Sequence, residues 1–279
     1  DDASAIAVGG DLIHIVGWMA EREQEQPDPN EDPRWTKLEG NRRTFAATFT
    51  LEGEFVRGFR LDGPFSHTRP RIAADAAGAI YVVAETESRL GTPSGPRLSS
   101  AYATKLGADG TVGWRYSWPT VLGPLPVAMA IATRGDDVII ASEKSKDPQR
   151  SASVSFVARL DANGHLLWET ELAGTLAAMA TDDTGAIYTY GSSSVGMSAA
   201  GAAWVVKLDE QGRQLWMRSW SDSSGAGFLG TSVSAVGLPG GGVIVAGNVF
   251  SAREYVDFDP SEAERLVHTA GKPTAFVTA

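Results

Sequence analysis

The apolar positions of this chain fall in short runs broken by Asp, Gly, Asn and Pro, and no stretch keeps the three-to-four spacing of an amphipathic helix. One phrase, "FVARLDANGHLLW", starts at Phe156 with an aromatic and a basic residue, turns at Asp161–Gly164 and closes on Trp168. It returns as "YATKLGADGTVGW" (Tyr102, Lys105, Gly110, Trp114) and as "WVVKLDEQGRQLW" (Trp204, Lys207, Gly212, Trp216). A degenerate copy, "FAATFTLEGEFVRGF", keeps Phe45 and Gly53 but carries Arg57 where the tryptophan belongs. "AFVTA" at Phe276 reads as the start of a fifth. Between these copies runs a second phrase: an Ala-rich apolar run, an Asp/Gly turn and a β-branched run. It starts at Ala5, Arg71, Ala128, Ala177 and Val233.

Each phrase predicts two strands around a tight hairpin. The repeating unit is therefore four antiparallel strands, A and B from the second phrase and C and D from the first. Four short strands per repeat, with loop insertions, are the signature of a propeller blade. One four-stranded unit cannot bury both faces, so units must stack. The fold expected is all-β, a single β-propeller domain over 1–279 with four complete blades and a partial fifth. The boundaries are 5–63, 71–119, 128–174, 177–223 and 233–279. Small residues such as Ala73, Ala74, Ala130, Ala132, Ala178 and Ala180 suit strand A, nearest the crowded axis.

The two phrases resemble the bacterial beta-propeller repeat family (SBBP-like repeats), and "VDFDPSEAERLVHTAGKPTAFVTA" is similar to the same family's connection into strand C. Their tryptophan-bearing D strands are similar to quinoprotein-type blades, without a cofactor-pocket motif beside them. The resemblance implies a secreted, periplasmic or cell-surface bacterial location and no assigned activity. The fifth unit lacks a D strand, and the chain starts without Met. The expectation is a processed chain whose natural form continues, a closed five-bladed ring being the weaker alternative.

Composition narrows the function classes. With 43% hydrophobic residues among 279, the chain has material for a sizeable core. Its formal net charge of −10 argues against a nucleic-acid partner. There are 0 cysteines, hence no disulfide, thiolate metal site or cysteine nucleophile. No apolar run approaches the ~20 residues of a spanning helix.

Loop lengths give direction. A–B and C–D connections are tight turns, whereas B–C connections are long: Met19–Arg43, Glu87–Ser100, Lys144–Ser153, Ser192–Gly201 and Phe250–Thr274. In a propeller B–C and D–A loops share a face, and long loops on a rigid scaffold are where binding sits.

Trp114, Trp168 and Trp216, at a fixed strand position, are expected to pack between blades rather than stack a ligand. Trp18 and Trp35 break the register and, with Glu25, Asp28 and Arg34 of "EREQEQPDPNEDPRW", form the candidate partner-binding loop. That acidic stretch lacks the spacing of a calcium loop and reads as solvated. Asp257 and Asp259 of "DFDP" are the one weak metal candidate, for calcium, against a turn-capping role. No other cofactor is expected. Asp136–Asp137 and Asp182–Asp183 read as turn residues, and His14, His67, His165 and His268 show no ligand spacing. "GLPGGG" at Gly237–Gly242 precedes no helix, and no nucleophile elbow occurs.

These readings favour a non-catalytic binding or scaffold module for a protein or glycan. The alternatives are a quinoprotein- or lyase-like enzyme with an axial site, and a structural subunit of a surface assembly.

Overall fold

The computed structural model describes residues 2–18, 35–37, 44–61, 70–89, 97–107, 109–119, 130–145, 153–192, 203–220, 229–250, 255–257, 266–268 and 274–278. All regular structure among them is β. Blade 1 comprises β1 (Asp2–Gly9), β2 (Leu12–Trp18), β3 (Trp35–Lys37), β4 (Thr44–Thr50) and β5 (Phe55–Leu61) in the order β1-β2-β4-β5-β3. Blade 2 comprises β6 (Arg71–Ala74), β7 (Ile80–Arg89), β8 (Arg97–Leu106) and β9 (Val112–Pro119), in sequence order. Blade 3 comprises β10 (Ala130–Arg134), β11 (Asp137–Ser145), β12 (Ser153–Leu160) and β13 (Leu166–Leu172). Blade 4 comprises β14 (Thr175–Thr181), β15 (Ile187–Ser192), β16 (Ala203–Leu208) and β17 (Gln214–Trp220). Blade 5 holds β18 (Leu229–Gly237), β19 (Val243–Phe250) and, after a small hairpin of β20 (Tyr255–Asp257) and β21 (Leu266–His268), the edge strand β22 (Thr274–Thr278).

Two departures from the expected blades follow from backbone pairing. Blade 1 is five-stranded: β3, inside what reads as a B–C loop, pairs in parallel with β5, Trp35 opposite Gly58 and Lys37 opposite Arg60. A D strand leaves its outer ladder unpaired, and a nearby extended segment satisfies it. In blade 2 the strands run on beyond the expected boundaries, with Arg89 opposite Arg97, which shortens the B–C connection.

The chain divides into two compact units, one made of residues 1–140, 144–153 and 160–167, the other of 141–143, 154–159 and 168–279. In the first, Val16, Ala46, Phe59 and Leu61 of blade 1 pack on Ile72, Ile80, Val82 and Leu106 of blade 2. In the second, Ala178, Tyr190, Ala203 and Val205 of blade 4 pack on Val245 of blade 5, with Val233, Ala235 and Val243 beside them. The aromatic heads of the C phrase are core residues: Tyr102, Phe156 and Trp204 are all buried.

Seven hairpins share one turn. Residues 50–54, 75–79, 107–111, 161–165, 182–186, 209–213 and 238–242 each close with the first N–H donating to the fifth carbonyl and the fourth N–H to the first carbonyl. The fourth residue is always Gly, with φ between 77° (Gly212) and 103° (Gly241), a region costly for any residue bearing a Cβ. An Asp at the first position accepts from the backbone within the turn. Asp75 Oδ1 takes the N–H groups of Ala77 and Ala79, and Asp161 Oδ1 those of Asn163 and His165. Asp209 Oδ1 takes those of Gln211 and Arg213. The recurring acids therefore serve turn geometry.

Candidate functional site

Each complete blade has two unlike ends. The A–B and C–D end is closed by the tight turns, and those turns engage the adjacent blade. Trp114 Nε1 donates to the Ala162 carbonyl at 3.0 Å, and its ring lies where a Cβ on Gly164 would sit 2.6 Å away. Trp168 Nε1 donates to the Glu210 carbonyl at 3.0 Å, its ring over Gly212, where a Cβ would meet it at 2.5 Å. The expected packing of these tryptophans between blades is thus what the geometry has. Trp216 lies against the blade 4–blade 5 cluster. In blade 1, Arg57 replaces the tryptophan and Phe59, two residues on, takes over: its ring occupies the space a Cβ on Gly110 would need.

"GLPGGG" also finds its role here. Gly240 N–H donates to Asp183 Oδ1 at 2.9 Å and Gly242 N–H to the Tyr188 hydroxyl at 2.8 Å. A Cβ on Gly237 would fall 2.1 Å from the Thr181 carbonyl. The bare Gly237 and the N–H groups of Gly240 and Gly242 are what let blade 5 close on blade 4.

One constellation escaped the sequence reading. The Tyr81 hydroxyl donates to Asp75 Oδ2 at 3.0 Å, Lys105 Nζ stands 5.1 Å over the Tyr81 ring, and Trp114 lies 6.1 Å from it. Blade 4 repeats the set: Tyr188 to Asp182 Oδ2 at 2.9 Å, Lys207 Nζ at 5.0 Å, Trp216 at 6.1 Å. The signal was an Asp six residues before a Tyr, in "DAAGAIY" and "DDTGAIY". Burial raises the Tyr81 hydroxyl above the ordinary tyrosine range, and the bond to Asp75 adds to this. For Asp182 burial pulls upward, but the hydroxyls of Thr184 and Tyr188 and the N–H of Ala186 outweigh it and hold the carboxyl below the ordinary range. Both tyrosines are buried, and the half-buried Lys and Trp cover their rings, so the quartets act as polar struts of the blade.

Blade 1 puts His14 at the tyrosine's place: His14 lies opposite Thr48 as Tyr81 lies opposite Lys105. Its Nδ1 is 3.0 Å from Thr48 Oγ1, and Nε2 has no partner within hydrogen-bonding distance. Burial, then the charge of Arg57, holds the imidazole pKa below its usual value, against the pull of the Gly9 backbone and Asp75. His165, expected to be solvated, is exposed and also paired, its Nδ1 being 3.1 Å from Asp161 Oδ2.

At the opposite end of blade 1, the B–C connection leaves β2 at Trp18. Trp18 ends β2 and Trp35 opens β3, so Trp35 belongs to the sheet rather than to a loop. Asp257 ends β20, opposite Leu266. Glu25, Asp28, Arg34 and Asp259 lie outside the described residues. Among the described residues no three His, Asp or Glu side chains come together as a metal site.

Successive sheets of three to five strands, with tight turns gripping the adjacent sheet, decide the architecture. The fold is a β-propeller. No family model matches the chain, and no curated protein does, so the repeat-family resemblance is supported at the level of this fold. Solved structures do match. A mutant of the Synechocystis apocarotenoid oxygenase aligns with TM-score 0.52 and 10% identity, over 98% of this chain and 64% of that one. A protein of unknown function from Bacteroides caccae aligns with TM-score 0.48 and 12% identity, over 99% of this chain and 82% of its own. BamB from Moraxella catarrhalis aligns with TM-score 0.40 and 13% identity, over 100% and 77%. At such identities the likeness is one of fold alone. The chain spans less than two thirds of the oxygenase's length.

Proposed function

We propose that this chain is a non-catalytic binding or scaffold module of a bacterial envelope or extracellular protein, and that its long B–C and D–A connections engage a protein or glycan. The observation that carries the reading is the division of labour within each blade. The recurring Asp, Tyr, Lys and Trp side chains, which hold most of the repeat's chemistry, are committed to turns and blade contacts. Variation is concentrated in the connections at the other end, the place where a rigid scaffold offers specificity. The blade 1 connection, with Trp18, Trp35, Glu25, Asp28 and Arg34, is the richest in aromatic and charged groups, and aromatic and Arg side chains are the residues on which interface energy concentrates.

The test is a panel of bacterial polysaccharides and envelope proteins, immobilised and probed with the purified chain and two variants. One variant replaces 20–34 with a short Gly/Ser linker; the other is Trp35→Ala. Binding that falls at least tenfold in both variants, with the thermal transition kept, is the expected result. Undiminished binding by the variants, or steady turnover of a glycoside by the unaltered chain, overturns the reading.

A further inference from the structure

The backbone of an outer strand turns half of its N–H and C=O groups away from the sheet, where a further strand can take them. Blade 1 meets this demand from within: β3 lies in parallel along β5. The outer strands of the other complete blades, β9, β13 and β17, carry no fifth strand among the described residues. Two of them hold the usual guards of an open edge: β9 ends on Pro119, and β13 carries Glu169 and Glu171. β17, "QLWMRSW", holds neither proline nor carboxylate, in a chain whose net charge is −10.

β17 sits wholly in the second compact unit, with all of blade 4. From Trp216 to Trp220 it runs regularly along Lys207 to Ala203, past an irregularity at Leu208. Met217 therefore shares the face of Val206, whereas Trp216 and Arg218 share that of Lys207 and Val205. Val206 is 2% exposed and Met217 42%, an apolar side chain left in water at the middle of an open edge. Set antiparallel to itself about Met217, the strand is complementary. Met217 meets Met217 on one face, and on the other each Arg218 lies opposite the second strand's Trp216, a cation beside an aromatic ring. Within one strand Arg218 already stands 5.7 Å over Trp216. An axis at Arg218 would oppose two guanidiniums, and one at Trp216 would draw the irregular end of the strand into the ladder.

We infer that β17 pairs antiparallel with β17 of a second copy of this chain, joining the two blade 4 sheets edge to edge. The contact is isologous, with its two-fold axis at Met217, and so stops at two copies. It does for the edge of blade 4 between molecules what β3 does for the edge of blade 1 within one. It uses none of the residues assigned above to partner binding, so its failure leaves that reading standing.

The chain has no cysteine, so a single introduced one reports the axis. Under mild oxidation Met217→Cys is expected to form a disulfide-linked dimer several-fold faster than Ser219→Cys, which is also exposed and on the same face. Directly opposite Cβ atoms stand about 5 Å apart, whereas two Ser219 positions are offset by about 13 Å along the strands. Equal rates, or no linked dimer, overturn the inference. Sedimentation of the unaltered chain provides the second measurement. A monomer–dimer equilibrium is expected, and Met217→Lys, which sets two like charges opposite each other, shifts it toward monomer while β-sheet circular dichroism is kept. A dimer undiminished by Met217→Lys overturns the inference; a monomer at every concentration does so too, and leaves the edge to a strand of another protein.

Discussion

Gly212→Ala separates two costs that the blade contacts combine. At Gly212 an added Cβ meets backbone strain, since φ is +77°, and a clash, since Trp168 ring atoms lie 2.5 Å and 2.7 Å from it. Gly53 holds the same turn position with φ +89° and has nothing within 4 Å of an added Cβ. Gly53→Ala therefore reports strain alone, about 1–2 kcal/mol. Gly212→Ala carries the same strain plus about 1–3 kcal/mol of overpacking. Trp168→Ala removes the ring, so Gly212→Ala in that background loses the indole clash and keeps the strain and the 2.8 Å approach to Thr170 Oγ1. The double-mutant cycle should then give a coupling of about 1–3 kcal/mol in favour of the double variant. Urea unfolding followed by far-ultraviolet circular dichroism measures all four corners, with a constant slope as the check on cooperative behaviour. If Gly212→Ala costs the same with and without the indole, Trp168 does not dock on this turn, and the account of how blades 3 and 4 are joined fails.

Three further outcomes are expected. Tyr188→Phe deletes a hydroxyl that donates to Asp182 and accepts from Gly242 N–H; it should cost about 1–3 kcal/mol in urea unfolding, because buried polar partners lose their bond. His14 has a folded-state pKa below its unfolded value of 6.5, so the unfolded chain takes up the proton first and stability falls as pH drops below about 6.5. His14→Phe should flatten that part of the stability–pH curve. Asp161 has the same sign in a more acidic window: the backbone N–H and side chain of His165 lower its pKa, so its contribution is present above the unfolded value and lost as pH falls through the folded one. Millimolar calcium should leave the thermal transition where it is, and a rise abolished by Asp257→Asn would instead establish the cation site.

Blade number, strand order and the tryptophan contacts were legible in the sequence because they recur: the same residue types at the same spacing leave one economical structure. What recurrence does not carry was missed. β3 is a single strand in one blade, and its parallel pairing with β5 depends on an unfilled backbone ladder, which no side-chain pattern announces. Phe59 stands two residues from the expected tryptophan, on the same side of β5, so alignment by spacing passes over it. The Asp–Tyr–Lys–Trp quartet was visible only as separate letters, because its members come from turn, strand B, strand C and strand D. The candidate loop residues offered nothing to compare, since each connection is unlike the others.

Seam positions also compensate for one another, and this bears on what the scaffold tolerates. The C-strand aromatic lies opposite a small residue on strand B in four described registers: Phe45 opposite Gly17, Tyr102 opposite Ala84, Trp204 opposite Gly191 and Phe276 opposite Gly247. The largest ring thus faces the residue with no side chain. A Cβ at Gly191 would sit 2.3 Å from the Trp204 ring and 2.4 Å from the Thr175 carbonyl. Gly191→Ala alone should destabilise by about 1–3 kcal/mol or more. Adding Trp204→Tyr recreates the pair that blade 2 uses and relieves the ring contact, so the double variant should regain part of the loss. The remainder stays, because the Thr175 carbonyl belongs to backbone and cannot give way. Full recovery in urea unfolding would mean that strand A shifts freely, and the view of the blades as rigid carriers for variable loops would fail with it.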